Sequence, residues 1–259
     1  MTSIAAWAGV DSRGQSSLYI SSDSRISFPD GTSWDQGRKV FACFSEPHIF
    51  GYWGRIEFPA LALPLIADRI DRGLLASGQQ NGHDDIYQAV RRLWKGYPTS
   101  ERFSIVHGTR TGDNMTSRFS LTVMAYNGQR WSRRIVTCRT DPAWSLNEGS
   151  GQQHVRHAYN EWQAGPAART SRAVFSAFCD SIADSADPGT GGAPQLAGLY
   201  RIGPGRMIGV VHKRQRYLAG AALIGAEQTD GVEWRNDLFE RTDGKSKKRT
   251  PDAQIHNRQ

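Results

Sequence analysis

Met1-Thr2-Ser3-Ile4-Ala5-Ala6-Trp7-Ala8-Gly9 opens the chain with a run of small and apolar residues. Such a run, bounded by a polar turn at Val10-Asp11-Ser12-Arg13-Gly14, reads as a buried strand. Removal of Met1 would leave Thr2 at the tip of that strand. A terminal threonine carries a hydroxyl nucleophile and an α-amine on one residue. The amine has an ordinary pKa of about 7.7–8, so it can serve as a base near neutral pH. Methionine aminopeptidases act in the cytosol and favour a small second residue. Taken alone, Thr2 is any second residue of a strand.

Working outward, Leu18–Ser22 reads as a second strand forming a hairpin with the first. Lys39–Phe44 and His48–Gly54 give two more strands across Ser45-Glu46-Pro47. Two helices follow. Pro59–Arg72 has apolar residues at Leu61, Leu65, Ile66 and Ile70, with Pro64 set to kink it. Asp84–Trp94 has acidic residues in its first turn and Arg91-Arg92 in its last, matching the helix dipole. Phe103–Gly108, Phe119–Tyr126 and Trp131–Cys138 are strands, the last two joined by an Asn127-Gly128 turn. A polar loop leads to Glu148, and helices are read at Gln153–Gln163 and Arg169–Ala186. Leu196–Ile202, Arg206–His212 and Leu218–Ile224 close the chain as strands. Helices therefore come in pairs between blocks of antiparallel strands. That order predicts an α+β, four-layer αββα sandwich, two antiparallel sheets flanked by helix pairs. The expected organisation is one domain over residues 1–240 and a basic, disordered tail over 241–259.

The 259 residues can bury one large core, and eight Trp with ordinary charged content mark a globular chain. The net charge is +7, with Lys245, Lys247, Lys248 and Arg249 in the tail and the remaining surplus scattered. This reads as a solvated basic surface and argues against a nucleic-acid site. Cys43, Cys138 and Cys179 form no CxxC pair and read as core thiols, with no disulfide framework and no zinc motif. The histidines form no metal-spaced set beyond His154/His157, which reads as a solvated helix face. No cofactor is expected. No stretch is apolar for about 18 residues, and the N-terminus lacks the basic and long apolar regions of a signal peptide. The expectation is a cytoplasmic protein with no membrane segment.

Five short motifs then fall in order at element boundaries. Ser21-Ser22-Asp23-Ser24-Arg25 ends the first hairpin. Lys39, followed by Val40, lies sixteen residues after Asp23. Gly51 and Gly54 stand before the first helix pair, Gly149-Ser150-Gly151 before the second, and Asp187-Pro188-Gly189-Thr190-Gly191-Gly192 before the closing strands. With a threonine at the start, the series resembles the proteasome β subunits and related bacterial threonine peptidases, a family of N-terminal-nucleophile hydrolases. The likeness spans roughly residues 2–225.

The resemblance implies a catalytic set of Thr2, Asp23, Lys39, Gly54, Ser150, Asp187 and Thr190. Thr2 Oγ would attack a scissile carbonyl and its own amine would take the proton. Lys39, held by Asp23, would lower the amine's pKa; an ordinary surface salt bridge is the alternative for that pair. Gly54 would bring a backbone N–H to the oxyanion, with Gly51 competing for the role. Ser150, Asp187 and Thr190 would cradle the amine, and Ser150 also fits a helix N-cap. The implied substrate is a peptide or unfolded protein, and the implied assembly a homo-oligomeric ring. With no Walker motif, an ATP-driven unfoldase would be a separate chain. A silent ring subunit and an amidase for a small amide are the rival readings. Three features depart from the family pattern: Thr190 where Ser is usual, Arg55 after Gly54 where a small residue is usual, and no propeptide beyond Met1.

Overall fold

The computed structural model describes residues 2–75, 82–98, 100–183, 186–225 and 229–253. Strand β1 (Ser3–Asp11) is buried over its first seven residues, as the apolar run required. It pairs antiparallel with β2 (Gly14–Ser22), Ala5 opposite Ser21. On its other side β1 pairs with β10 (Trp144–Gly149), a strand in a stretch read from sequence as a polar loop. Strand β11 (Gln195–Tyr200) pairs with β2 and then with β12 (Arg206–His212). Beyond β12 come β13 (Gln215–Leu218) and β14 (Ala221–Leu223). Strand β15 (Trp234–Asn236) runs parallel to β12 and pairs with β16 (Arg241–Thr242).

A second sheet is an antiparallel meander of five strands, β5 (Val40–Ala42), β6 (His48–Gly54), β7 (Phe103–Thr111), β8 (Arg118–Tyr126) and β9 (Trp131–Val136). A two-stranded ribbon, β3 (Ile26–Ser27) with β4 (Ser33–Trp34), lies beside the first hairpin's end. The two large sheets share one apolar cluster, with Ile4, Leu18 and Ile20 from one and Val40, Ile49 and Val106 from the other. Period-two alternation sends β1 and β2 side chains to both faces, so Trp7 and Tyr19 pack away from that cluster with Phe175 and Cys179.

Helices α1 (Glu57–Asp71) and α2 (Gly82–Trp94) pack Phe58, Leu63, Ile66, Ile86 and Val90 against Phe50, Tyr52 and Ile105. Helix α1 runs on through Pro64, and Leu61 and Leu65 point to solvent. Helices α3 (Gln152–Gln163) and α4 (Ser171–Ala183) pack Val155, Phe178 and Ile182 around Ala5. Positions 184–185, read as the end of α4, lie outside the described residues.

The expected four-layer αββα sandwich is corrected. The chain is mostly antiparallel sheet with four α-helices among the described residues, and it does not form clear, even layers. The cause lies in strands hidden from sequence reading. The half-polar β10 and the two- and three-residue β15 and β16 carry no alternation to detect. Backbone pairing with a neighbour satisfies their polar groups regardless of side chain. The expected boundary at 240/241 falls between β15 and β16, and Thr242 bridges on to Arg249.

Candidate active site

The hairpin register sets the site. Ile4 lies opposite Ser22, so the turn after β2 brings Asp23 alongside the start of β1. The Asp23 carboxylate accepts the Ser3 backbone N–H at 2.9 Å on Oδ1. Its Oδ2 accepts the Arg25 N–H at 3.1 Å and the Gly191 N–H at 3.2 Å. Lys39, the residue before β5, donates from Nζ to Asp23 Oδ1 at 2.9 Å. Both side chains are fully shielded, at 0% exposure, so the surface-salt-bridge alternative does not describe this pair. Burial pushes the Lys39 ammonium below its ordinary value, and Asp23 opposes that shift.

The Gly149-Ser150-Gly151 turn lies across the start of β1. The Thr2 backbone nitrogen donates to Ser150 Oγ at 3.3 Å, and Ser150 Oγ donates to Asp187 Oδ2 at 2.6 Å. Thr190 Oγ1 donates to the same oxygen at 2.9 Å and lies 2.9 Å from Ser3 Oγ. Burial raises the Asp187 carboxyl, but hydrogen bonds from Ser150, the Gly189 N–H and Thr190 outweigh it and hold the pKa below the ordinary value. Ser150 is not a helix cap here, because the N-cap of α3 is Gly151 and no side-chain bond closes it. Gly149 has φ +98°, and a Cβ there would stand 1.8 Å from the Thr2 carbonyl oxygen. Only glycine lets the turn and the strand approach so closely.

A groove of about 970 Å³ is lined by Thr2, Gly54, Arg55, Glu101, Gly149 and Ser150, among others. The two candidate glycines part company here. A Cβ on Gly51 would meet Ile4, Ile20 and Val106 between the sheets, whereas Gly54 lies on the groove at φ +91°. Arg55 sits on the groove wall with Nε 3.3 Å from Glu101. The structure thus brings Thr2, Asp23, Lys39, Ser150, Asp187 and Thr190 into one bonded cluster and sets Gly54 on the same groove.

Sequence reading missed two supports. Ser3 links Asp23 to Thr190 through its N–H and hydroxyl. Gln195, the first residue of β11, accepts the Lys39 N–H and donates to the Asp23 and Gly37 carbonyls. Neither belongs to a motif, and only the β2–β11 pairing places Gln195 beside the cluster. Arg25 forks onto Asp35 at 2.7 and 2.9 Å, bracing the same turn. Sequence reading also missed a histidine cluster. His48 Nδ1 and His107 Nε2 are 2.9 Å apart, His107 Nδ1 and His83 Nδ1 2.9 Å, and His83 Nε2 and Ser120 Oγ 2.8 Å. It adjoins a separate cavity of about 500 Å³ lined by His48, His83, Ser120 and Arg133.

No family model matches the chain, and no curated protein matches it. A solved structure of the Anbu (Gly-1) mutant from Hyphomicrobium sp. strain MC1 is similar to it, with a TM-score of 0.54 and 13% sequence identity. The likeness covers 78% of this chain and 82% of that one. These findings correct the expectation of a proteasome β-subunit type of threonine peptidase. At 13% identity the likeness establishes the fold alone, and no family match supplies the narrower membership. Among the described residues no helix is long and apolar enough to cross a membrane.

Proposed function

We propose that the chain is a hydrolase of amide bonds that uses Thr2 as an N-terminal nucleophile and acts on peptides. The observation that carries this reading is the fully buried Lys39–Asp23 pair, whose carboxylate also holds the backbone N–H of the residue after Thr2. An isolated buried ion pair is costly unless its geometry and extra hydrogen bonds offset desolvation. Here Asp23 accepts three backbone N–H groups besides Lys39, one of them from Ser3, the neighbour of the Thr2 that lines the groove.

The chemistry requires a free amine on Thr2, hence loss of Met1. Thr2 Oγ attacks the carbonyl carbon and its proton passes to the α-amine. The Lys39 charge lowers the amine's pKa and keeps it a base, and the Ser150–Asp187–Thr190 cradle orients it. The Gly54 backbone N–H stabilises the oxyanion. The protonated amine then supplies the leaving group's proton, and water releases the acyl group from Thr2. In this reading Arg55 and Glu101 contribute to substrate choice, and copies of the chain assemble with one another, as expected for a ring that confines the sites.

The test pairs the N-terminal mass of the purified protein with hydrolysis of unstructured peptides and of simple amides. The expected result is a chain starting at Thr2 that cleaves peptides and is silenced by Thr2→Ala. Undiminished cleavage by Thr2→Ala sinks the reading, and turnover confined to small amides replaces peptides as the substrate class. A purified chain that retains Met1 and is inactive favours the silent-scaffold alternative.

A further inference from the structure

Cys179 lies in α4, His212 ends β12, and Asp237 follows β15 directly. Their ligand atoms, a thiol sulfur, a ring nitrogen and a carboxylate oxygen, all lie within 4.8 Å of one another. The three come from separate elements of the half of the molecule remote in sequence from Thr2. We propose that Cys179, His212 and Asp237 form a binding site for one thiophilic divalent cation, Zn²⁺ or a close analogue.

The ligand set selects the metal. A thiolate with an imidazole and a carboxylate suits Zn²⁺, whereas Ca²⁺ and Mg²⁺ demand oxygen shells. The charge also balances. A thiolate and a carboxylate carry two negative charges, the imidazole is neutral, and a divalent cation leaves the buried centre uncharged. Metal binding forms a Zn–S bond and sends the thiol proton to solvent.

The supporting contacts fix the geometry. His212 Nδ1 lies 2.7 Å from Asp237 Oδ1, and the Lys213 N–H reaches Asp237 Oδ2 at 3.4 Å. Ser176, three residues before Cys179 and so on the same helix face, donates from Oγ to the Asp237 carbonyl at 2.8 Å. The Lys213 and Ser176 contacts hold Asp237 in place before the metal arrives, and the His212–Asp237 contact gives way to coordination of both groups by the ion. Cys179 is 1% exposed, which excludes it as a nucleophile for an outside substrate. The Asp237 side chain is 15% exposed, so the fourth coordination position opens on its side and takes water. The bound ion clamps α4 to β12 and to the chain beyond β15, independently of hydrolysis at Thr2.

The test is an anaerobic Co²⁺ titration of the chelator-stripped full chain, followed by displacement with Zn²⁺. One equivalent is expected to bind, with a thiolate-to-cobalt charge-transfer band and tetrahedral d–d absorption, both lost on adding Zn²⁺. Cys179→Ser should lose the charge-transfer band. Asp237→Asn, which leaves the apolar packing intact, should weaken Co²⁺ binding about ten-fold or more. Absence of saturable binding to the wild-type chain overturns the proposal. So does a charge-transfer band that survives Cys179→Ser, since it then arises at Cys43 or Cys138, and so does unchanged affinity in Asp237→Asn.

Discussion

Lys39 Nζ and Asp23 Oδ1 lie 2.9 Å apart with neither side chain touching solvent. The pair joins the strand entering the five-stranded sheet to the hairpin of the larger sheet, one residue from Thr2. It therefore ties the two sheets together and, through the Ser3 N–H, fixes the backbone next to Thr2.

Removal of one partner strands the other in a dry site. Lys39→Met is expected to cost about 3–5 kcal/mol, as breaking a buried pair does. The combined Lys39→Met, Asp23→Asn variant should recover part of that loss, because no net charge is left buried. Hydrolysis should stay silent in both. Urea unfolding with a peptide assay on the same samples separates the effects, and a double variant no more stable than Lys39→Met counts against the pair's burial as the cause.

The cradle can be probed more gently. Ser150→Ala removes the acceptor of the Thr2 nitrogen and one donor to Asp187. A stability change of about 1 kcal/mol is expected, with a fall of at least ten-fold in kcat, the range for mispositioned proton transfer. Thr190→Ser keeps the hydroxyl and should retain most activity. Equal kcat for Ser150→Ala and wild type removes Ser150 from the proposed machinery.

Gly149 supplies a backbone test. Gly149→Ala meets both a positive φ of +98° and the Thr2 carbonyl 1.8 Å from the new Cβ. Gly14 has φ +101° with nothing within 4 Å of a Cβ. Gly14→Ala should thus carry only the cost of the left-handed conformation, about 1 kcal/mol. Gly149→Ala should lose more than this and displace Thr2, with hydrolysis abolished. Thermal melts and peptide turnover of the two variants make the comparison.

The histidine cluster predicts a pH dependence of stability. Burial, with His83 adding to it, pushes His48 down to about 4, and burial with Arg133 nearby pushes His83 down to about 4. Burial also holds His107 well below its ordinary value. Depressed histidines stay neutral in the folded chain while the unfolded chain takes up protons below about pH 6.5. Stability should therefore be unaffected by these groups above that pH and fall progressively between about 6.5 and 4. Urea midpoints measured across this range should drop in the wild type and drop less in His83→Asn. Parallel pH profiles would assign the acid sensitivity to other groups.

How much was legible depends on how local each signal is. The β1–β2 hairpin, β6, β8 and the paired helices were readable because their apolar periodicity is written in consecutive residues. Helix α3 was placed to within a residue at its start, and β12 at both ends. The apolar positions of α1 were less reliable, since Leu61 and Leu65 share helical spacing with the core residues yet face solvent. Spacing defines a stripe, but the neighbouring sheet decides which stripe is covered.

The sequence alone determined that a small, apolar strand starts the chain with threonine beside Met1. It also determined that Asp23 and Lys39 stand sixteen residues apart at strand ends, and that glycine-rich turns precede each later block. These are properties of nearest neighbours and short periods. Only the tertiary structure decided that β10 lies beside β1 and carries Ser150 to Thr2, or that β11 carries Gln195 to Lys39. It alone brought together His48, His83 and His107, and Cys179, His212 and Asp237. Such meetings are set by strand register and sheet order, whose hydrogen bonds join backbones far apart in the chain and leave little trace in the residues between.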